Sequence, residues 1–154
     1  MDTWSGVPVF GRPRIEGQAT LRPSVYGLLV DRAGRLAVVR TPKGVYLPGG
    51  GATSHESPAQ AVVREVHEEC GLDVAVGDWT RWAVEFVYAA EEAVDFEKRC
   101  TFLELRSALA HGVGQESDHQ LDWMTPEEAI AHLAPQSHRW AVAQWVDATH
   151  DRPE

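Results

Sequence analysis

Glu65, Glu68 and Glu69 stand at i, i+3 and i+4 in a stretch that reads as a helix. At roughly 100° per residue, their side chains converge within an arc of about 100°. Like charges at this spacing repel. The three also lie toward the C-terminal end of the helix, where the macrodipole disfavours anions. A cation relieves both penalties. Hard divalent ions take oxygen ligands and bridge carboxylates to substrate phosphates, so Mg²⁺ or Mn²⁺ is the expected occupant. The competing reading is a solvated acidic face, since a short acidic motif alone is only a hypothesis.

The elements that must hold these groups are legible on either side. Ser57-Pro58 reads as a helix start, with Ser as cap and Pro in the first turn. Gly71 reads as the stop. Ala59, Val62, Val63, Val66 and Cys70 then share one apolar face, and Gln60, Arg64 and His67 fall on the opposite side, with His67 in solvent. Before the helix, Leu47-Pro48-Gly49-Gly50-Gly51 carries three glycines, which let backbone pass close to a ligand or turn tightly.

Further out, a short strand is expected near Val7–Phe10, within a mobile lead-in of about 18 residues. Ser24–Asp31 and Arg35–Arg40 read as strands joined by the turn Asp31-Arg32-Ala33-Gly34, hence as a hairpin. Trp79–Ala89 and Phe96–Leu109 read as two long strands joined at Glu91-Glu92-Ala93, and Gln120–Met124 as a short one. Pro126–Leu133 is a helix capped by Thr125, Ser137–Ala148 a helix capped by Ser137, and residues 149–154 a polar tail. Strands interleaved with helices imply a mixed sheet covered on both faces.

Read as a whole, Gly50 to Leu72 fits G-x5-E-x7-R-E-U-x-E-E-x-G-U, where U is aliphatic, with every specified position filled. A chance match is on the order of 10⁻¹⁰ per start site at average residue usage. The pattern resembles the Nudix box of the MutT-like Nudix hydrolases. That resemblance implies an α/β/α sandwich with a mixed central sheet, the box forming its strand-loop-helix. It implies a backbone carbonyl from Gly49 to the metal and a structural pair of Glu56 with Arg64, where the planar guanidinium fork suits a carboxylate. It makes Glu65 the candidate general base, or otherwise another metal ligand beside Glu68 and Glu69. It also implies a further carboxylate in the loop before the strand bearing Trp123; Glu116 is the first candidate and Asp118 the second.

The 154 residues suffice for a single domain over residues 1–154 with a real core. A formal net charge of −9 argues against binding a nucleic-acid polymer, which calls for a basic footprint. Bound divalent ions reconcile that charge with an anionic substrate. Cys70 and Cys100 form no C-x-x-C pair and suggest free thiols in a reducing compartment. With no apolar run long enough for a membrane span and no signal-peptide pattern, the expected location is cytoplasmic. Six tryptophans admit two readings, a stacking platform for a nucleobase or packing in core and interfaces; packing is favoured, because aromatics dominate buried surface. His138 and Arg139, at the start of the last helix, are expected at the surface rather than on phosphate.

The function expected is a metal-dependent pyrophosphohydrolase that cleaves the diphosphate of a nucleoside diphosphate linked to another moiety. ADP-ribose, NADH, dinucleoside polyphosphates and nucleoside triphosphates are the candidate substrates. There is no G-x-S-x-G elbow to supply another hydrolytic nucleophile. Two alternatives remain: a ligand-binding or regulatory domain on the same fold, and a scaffold that forms a homodimer through its Trp-rich strands.

Overall fold

The computed structural model describes residues 2–110 and 118–150. Its strands are β1 (Val9–Phe10), β2 (Thr20–Leu28), β3 (Leu36–Thr41), β4 (Gly44–Tyr46), β5 (Gly49–Gly51), β6 (Leu72–Ala89), β7 (Val94–Ala110) and β8 (Gln120–Met124). Its helices are α1 (Pro58–Cys70), α2 (Pro126–His132) and α3 (Gln136–His150). None of these helices is long and apolar enough to cross a membrane.

Five strands form one mixed sheet in the order β1-β6-β7-β2-β5, and three form a second in the order β4-β3-β8. The long antiparallel β6–β7 pair is the frame, and β2 runs parallel to β7 from Thr20↔Phe96 to Leu28↔Glu104. The expected lead-in contributes β1, which lies parallel to β6 with Val9 opposite Val84.

The hairpin expected from residues 24–40 is corrected here. β2 and β3 belong to different sheets; the antiparallel bridge Val30↔Leu36 joins them at the turn, with hydrogen bonds from Ala37 N to Leu29 O and from Asp31 N to Arg35 O (both 2.9 Å). Asp31 still makes the turn, its Oδ1 accepting from the backbone N–H groups of Ala33 and Arg35. That local signal cannot say that each strand finds its ladder partners elsewhere: β7 and β5 for β2, β8 and β4 for β3.

Period-two alternation buries the sheets on both faces. Val25, Leu29, Ala37, Val39, Leu103 and Leu105 face α1, meeting Ala61, Val62, Val66 and Cys70. Tyr26, Leu28, Leu36, Val38 and Phe102 face α2 and α3, meeting Ala129, Ala141, Val142 and Trp145. Each fully buried Leu, Val or Phe contributes about 1.5–3 kcal/mol of burial free energy. The tryptophans serve this packing. Trp79 and Trp145 are in the core, Trp145 Nε1 donates to Glu104 Oε2 at 3.1 Å, and Trp140 packs against Phe10 and Phe102.

α1 is closed at both ends by its own sequence. Ser57 Oγ accepts from Gln60 N–H (3.1 Å) while Gln60 Oε1 accepts from Ser57 N–H (3.0 Å), a reciprocal capping box. Gly71 takes φ 67° and donates its N–H to His67 O, and β6 begins at the next residue. The last helix starts earlier than expected, at Gln136, so Ser137 lies inside its first turn instead of capping it. The Ser137 N–H there donates to Glu85 Oε1 on β6 (2.9 Å), so a strand carboxylate takes up a donor at the helix start.

Candidate active site

The three-glycine run is a strand. β5 pairs antiparallel with β2, Gly49 opposite Tyr26 and Gly50 opposite Val25. Gly49 has φ 152°, and a Cβ there would lie 2.0 Å from the Val25 carbonyl oxygen, so glycine is required on both counts. At Gly50 the limit is space: a Cβ would lie 2.7 Å from Glu65 Oε2. The glycines therefore let α1 lean its carboxylates onto bare backbone. This shifts the buried face of the helix. Ala61, Val62, Val66, Glu69 and Cys70 are buried, while Ala59 and Val63, expected in the stripe, are only partly covered. The buried arc is rotated by about 60° toward the glutamates.

Glu69 is enclosed. Its Oε1 accepts from the Gly49 N–H (3.0 Å) and its Oε2 lies 2.8 Å from His119 Nδ1. Arg64 organises the other box residues. Its Nε and Nη2 grip Glu56 Oε2 (2.6 Å) and Oε1 (2.9 Å), and Nη2 also donates to Gly51 O (3.1 Å). Its Nη1 donates to Glu65 Oε1 (3.2 Å) and Glu68 Oε2 (3.1 Å). All five guanidinium N–H groups are thus used. Glu56 also accepts from Thr53 N and Oγ1. The Arg64 hydrogen bond, ahead of that from Thr53, holds the Glu56 carboxyl down at about 2. Glu65 is mostly covered and Glu68 half-exposed. His67 is in solvent, beside Asp73.

Gly49, Glu65, Glu68 and Glu69 thus meet on one side of the β5–α1 unit. Among the described residues no three His, Cys, Asp or Glu side chains form a ready cage. The donor set nevertheless fits a hard divalent ion: it consists of carboxylates, with no thiolate among them, and two of them converge on one guanidinium nitrogen, so their charges already call for a shared cation. Glu116 lies outside the described residues. Asp118 is exposed, 3.9 Å from His119 Nε2. His119 itself reaches the box, and nothing in the sequence announced it, because it is fifty positions from Glu69.

A cleft opens beside Gly49 and Glu69. About 360 Å³ in volume, it is lined by Arg22, Lys43, Lys98, Tyr26, Tyr46 and His119, among others. In a chain of net charge −9, these three cations at one opening make the cleft fit for an anion. Through Tyr26, Tyr46 and Lys98 the cleft adjoins a second cavity of about 340 Å³, walled by Glu85, Cys100, Ser137 and His138. No tryptophan lines either cavity. Burial lowers the Lys98 ammonium from its ordinary value, and burial pushes the Cys100 thiol up to about 12, so that it stays protonated.

His138 corrects the expectation of a surface residue: it is 1% exposed. The first turn of α3 points into the sheet, and the ring lies 4.1 Å from that of Tyr26, centroid to centroid. Burial, helped by the charge of Lys98, holds its pKa well below the ordinary value. Arg139 stays nearer the surface and donates Nη1 to Leu133 O, completing the end of α2.

A sandwich of helices about a mixed sheet, a glycine strand against a three-carboxylate helix, and a cationic cleft beside both define a hydrolase of phosphate anhydrides. The NUDIX domain family model matches residues 20–146, and the chain belongs to that family. Nudix hydrolases act on anhydrides in phosphorus compounds of nucleotide type and generally use a divalent metal. The chain is 31% identical over 120 residues to a CTP pyrophosphohydrolase of Escherichia coli (strain K12), covering 72% of this chain and 82% of that one. It is 33% identical over 113 residues to an RNA pyrophosphohydrolase of Saccharophagus degradans, covering 70% of this chain and 66% of that one. Among solved structures, that of the E. coli ORF135 protein has the same fold, with a TM-score of 0.69 at 24% identity over 88% of this chain and 95% of that one.

Proposed function

We propose that this protein is a metal-dependent pyrophosphohydrolase that cleaves the diphosphate of a nucleotide, a nucleoside diphosphate linked to a further group, with Mg²⁺ or Mn²⁺ as the ion. The observation that carries this reading is that the carboxylate helix and the cationic cleft share Gly49 and Glu69. Glu65, Glu68, Glu69 and the Gly49 carbonyl would hold the ion. Bound there, it would neutralise diphosphate oxygens as charge develops on them. Arg22, Lys43 and Lys98 bind the phosphate chain and orient it across Glu69. Glu65 takes the proton of the attacking water. Its carboxylate is held for that role by a hydrogen bond from the Arg64 guanidinium and by its close fit over the bare backbone of Gly50.

A panel of nucleoside triphosphates, ADP-ribose, NADH and dinucleoside polyphosphates, run with Mg²⁺ and in ¹⁸O-water, tests the reading. Turnover that EDTA abolishes, with label in a phosphate product, is expected. A preference for p-nitrophenyl phosphate over every diphosphate, or full turnover in chelated protein, would overturn it.

A further inference from the structure

The proton on His138 can be placed. Nδ1 accepts a hydrogen bond from the Leu47 backbone N–H at 3.1 Å. A backbone N–H can only donate, so Nδ1 carries a lone pair and the neutral ring holds its proton on Nε2. Among the described residues no group accepts from Nε2, and the ring lines the cavity. A donor at a cavity wall that no protein group uses is open to an acceptor from outside the chain. The facing groups are equally defined. Glu85 Oε1 is pinned by the Ser137 N–H, which leaves its second oxygen as an acceptor at the cavity. Lys98 stands at the junction with the phosphate cleft. Tyr26 and Tyr46 supply apolar ring surface.

The cavity thus offers one anionic acceptor and one neutral donor between aromatic rings, next to the cleft assigned to the phosphates. We infer that it takes the nucleobase of the substrate and selects a base that carries an exocyclic amino group beside a ring acceptor, cytosine among pyrimidines and adenine among purines. The amino group donates to Glu85, and the neighbouring ring nitrogen or carbonyl accepts from His138 Nε2–H. A 4-oxo or 6-oxo base turns lone pairs toward the Glu85 carboxylate and is rejected. A hydrogen bond to a charged group, exchanged for such a repulsion, gives a discrimination of roughly tenfold to a hundredfold. The inference rests on the proposed function for its substrate and deepens it.

The test compares substrates that differ by one functional group. In the full chain with Mg²⁺, kcat/KM for CTP should exceed that for UTP, and that for ATP should exceed that for ITP, each by tenfold or more. Glu85→Gln should bring both ratios to one or below, because the Ser137 N–H keeps the amide carbonyl and turns the NH₂, a donor, to the base; a merely structural role would lower both substrates alike. Binding of CMP and UMP to EDTA-treated protein, followed by NMR titration, gives a readout free of turnover, and CMP should bind more tightly. Ratios within twofold for both pairs in the wild type, or equal binding of CMP and UMP, would overturn the inference even if Glu85→Gln does not fold. Diphosphate cleavage without base preference leaves the proposed function standing alone. Preferential CMP binding without any diphosphate cleavage leaves the base cavity standing alone.

Discussion

Lowering the pH from 7.5 to 5.5 should destabilise the protein through His138. The ring is buried against Tyr26 and Phe102, with the Lys98 charge nearby, and its folded pKa lies well below 6.5. In the unfolded chain it titrates near 6.5. The unfolded state therefore binds the extra proton, so this stability is fully present above about pH 6.5 and falls as the pH drops below it. One such group removes about 1.4 kcal/mol at most at pH 5.5. With a urea m-value of about 2 kcal/mol per molar, the midpoint should fall by roughly 0.5–0.7 M. The window is kept above pH 4.5, because below it Glu56 also protonates on unfolding; its folded carboxyl is held at about 2, and its contribution is lost as the pH falls from 4.5 toward that value. The assay is urea unfolding followed by tryptophan fluorescence at pH 7.5, 6.5 and 5.5 for the wild type and His138→Gln, which cannot titrate. The difference between the two cancels the remaining histidines. Parallel pH slopes in the two proteins would refute the argument, and with it the assignment of a neutral buried ring.

Arg64→Lys keeps the charge but offers three donors to five acceptors, so Tm should fall by roughly 3–6 °C and activity at least tenfold; a Tm within a degree of wild type argues against the hub. Glu69→Gln should weaken metal affinity more than Glu68→Gln, since Glu69 is enclosed between Gly49 and His119 while Glu68 is half-exposed, and equal metal titrations would contradict this. Gly50→Ala should lower kcat by roughly 10²-fold with Tm nearly unchanged, because its Cβ displaces the end of Glu65 and not the backbone; unaltered kcat would show that Glu65 does not need its present position.

What could be read from the sequence was local. Ser57, Pro58 and Gly71 mark the ends of α1 because capping is settled within one turn, and the β6–β7 pair is legible because a turn joins two long strand-like runs. Between residues 24 and 40 the turn is legible and the ladder partners are not, because a turn fixes the reversal of the chain alone. Gly49 to Gly51 form a strand only because β2 offers backbone to pair with, a preference that three glycines do not carry themselves. Ser137 resembled a cap and His138 a surface residue because the true start at Gln136 depends on Glu85, some fifty residues away. Of the site, the glutamates of the box were legible, while Arg22, Lys43, Lys98 and His119 arrive from strands and a loop that carry no motif.

One feature of the layout bears on how such proteins diversify. The carboxylates and their glycine support come from one continuous stretch, residues 49–69, in β5 and α1. The polar wall of the adjoining cavity is assembled from three elements, Glu85 on β6, Lys98 on β7, and Ser137 and His138 in the first turn of α3. Substitutions in one set need not disturb the hydrogen bonds of the other. Descendants of this chain could therefore exchange what the cavity accepts while inheriting the hydrolytic segment unchanged.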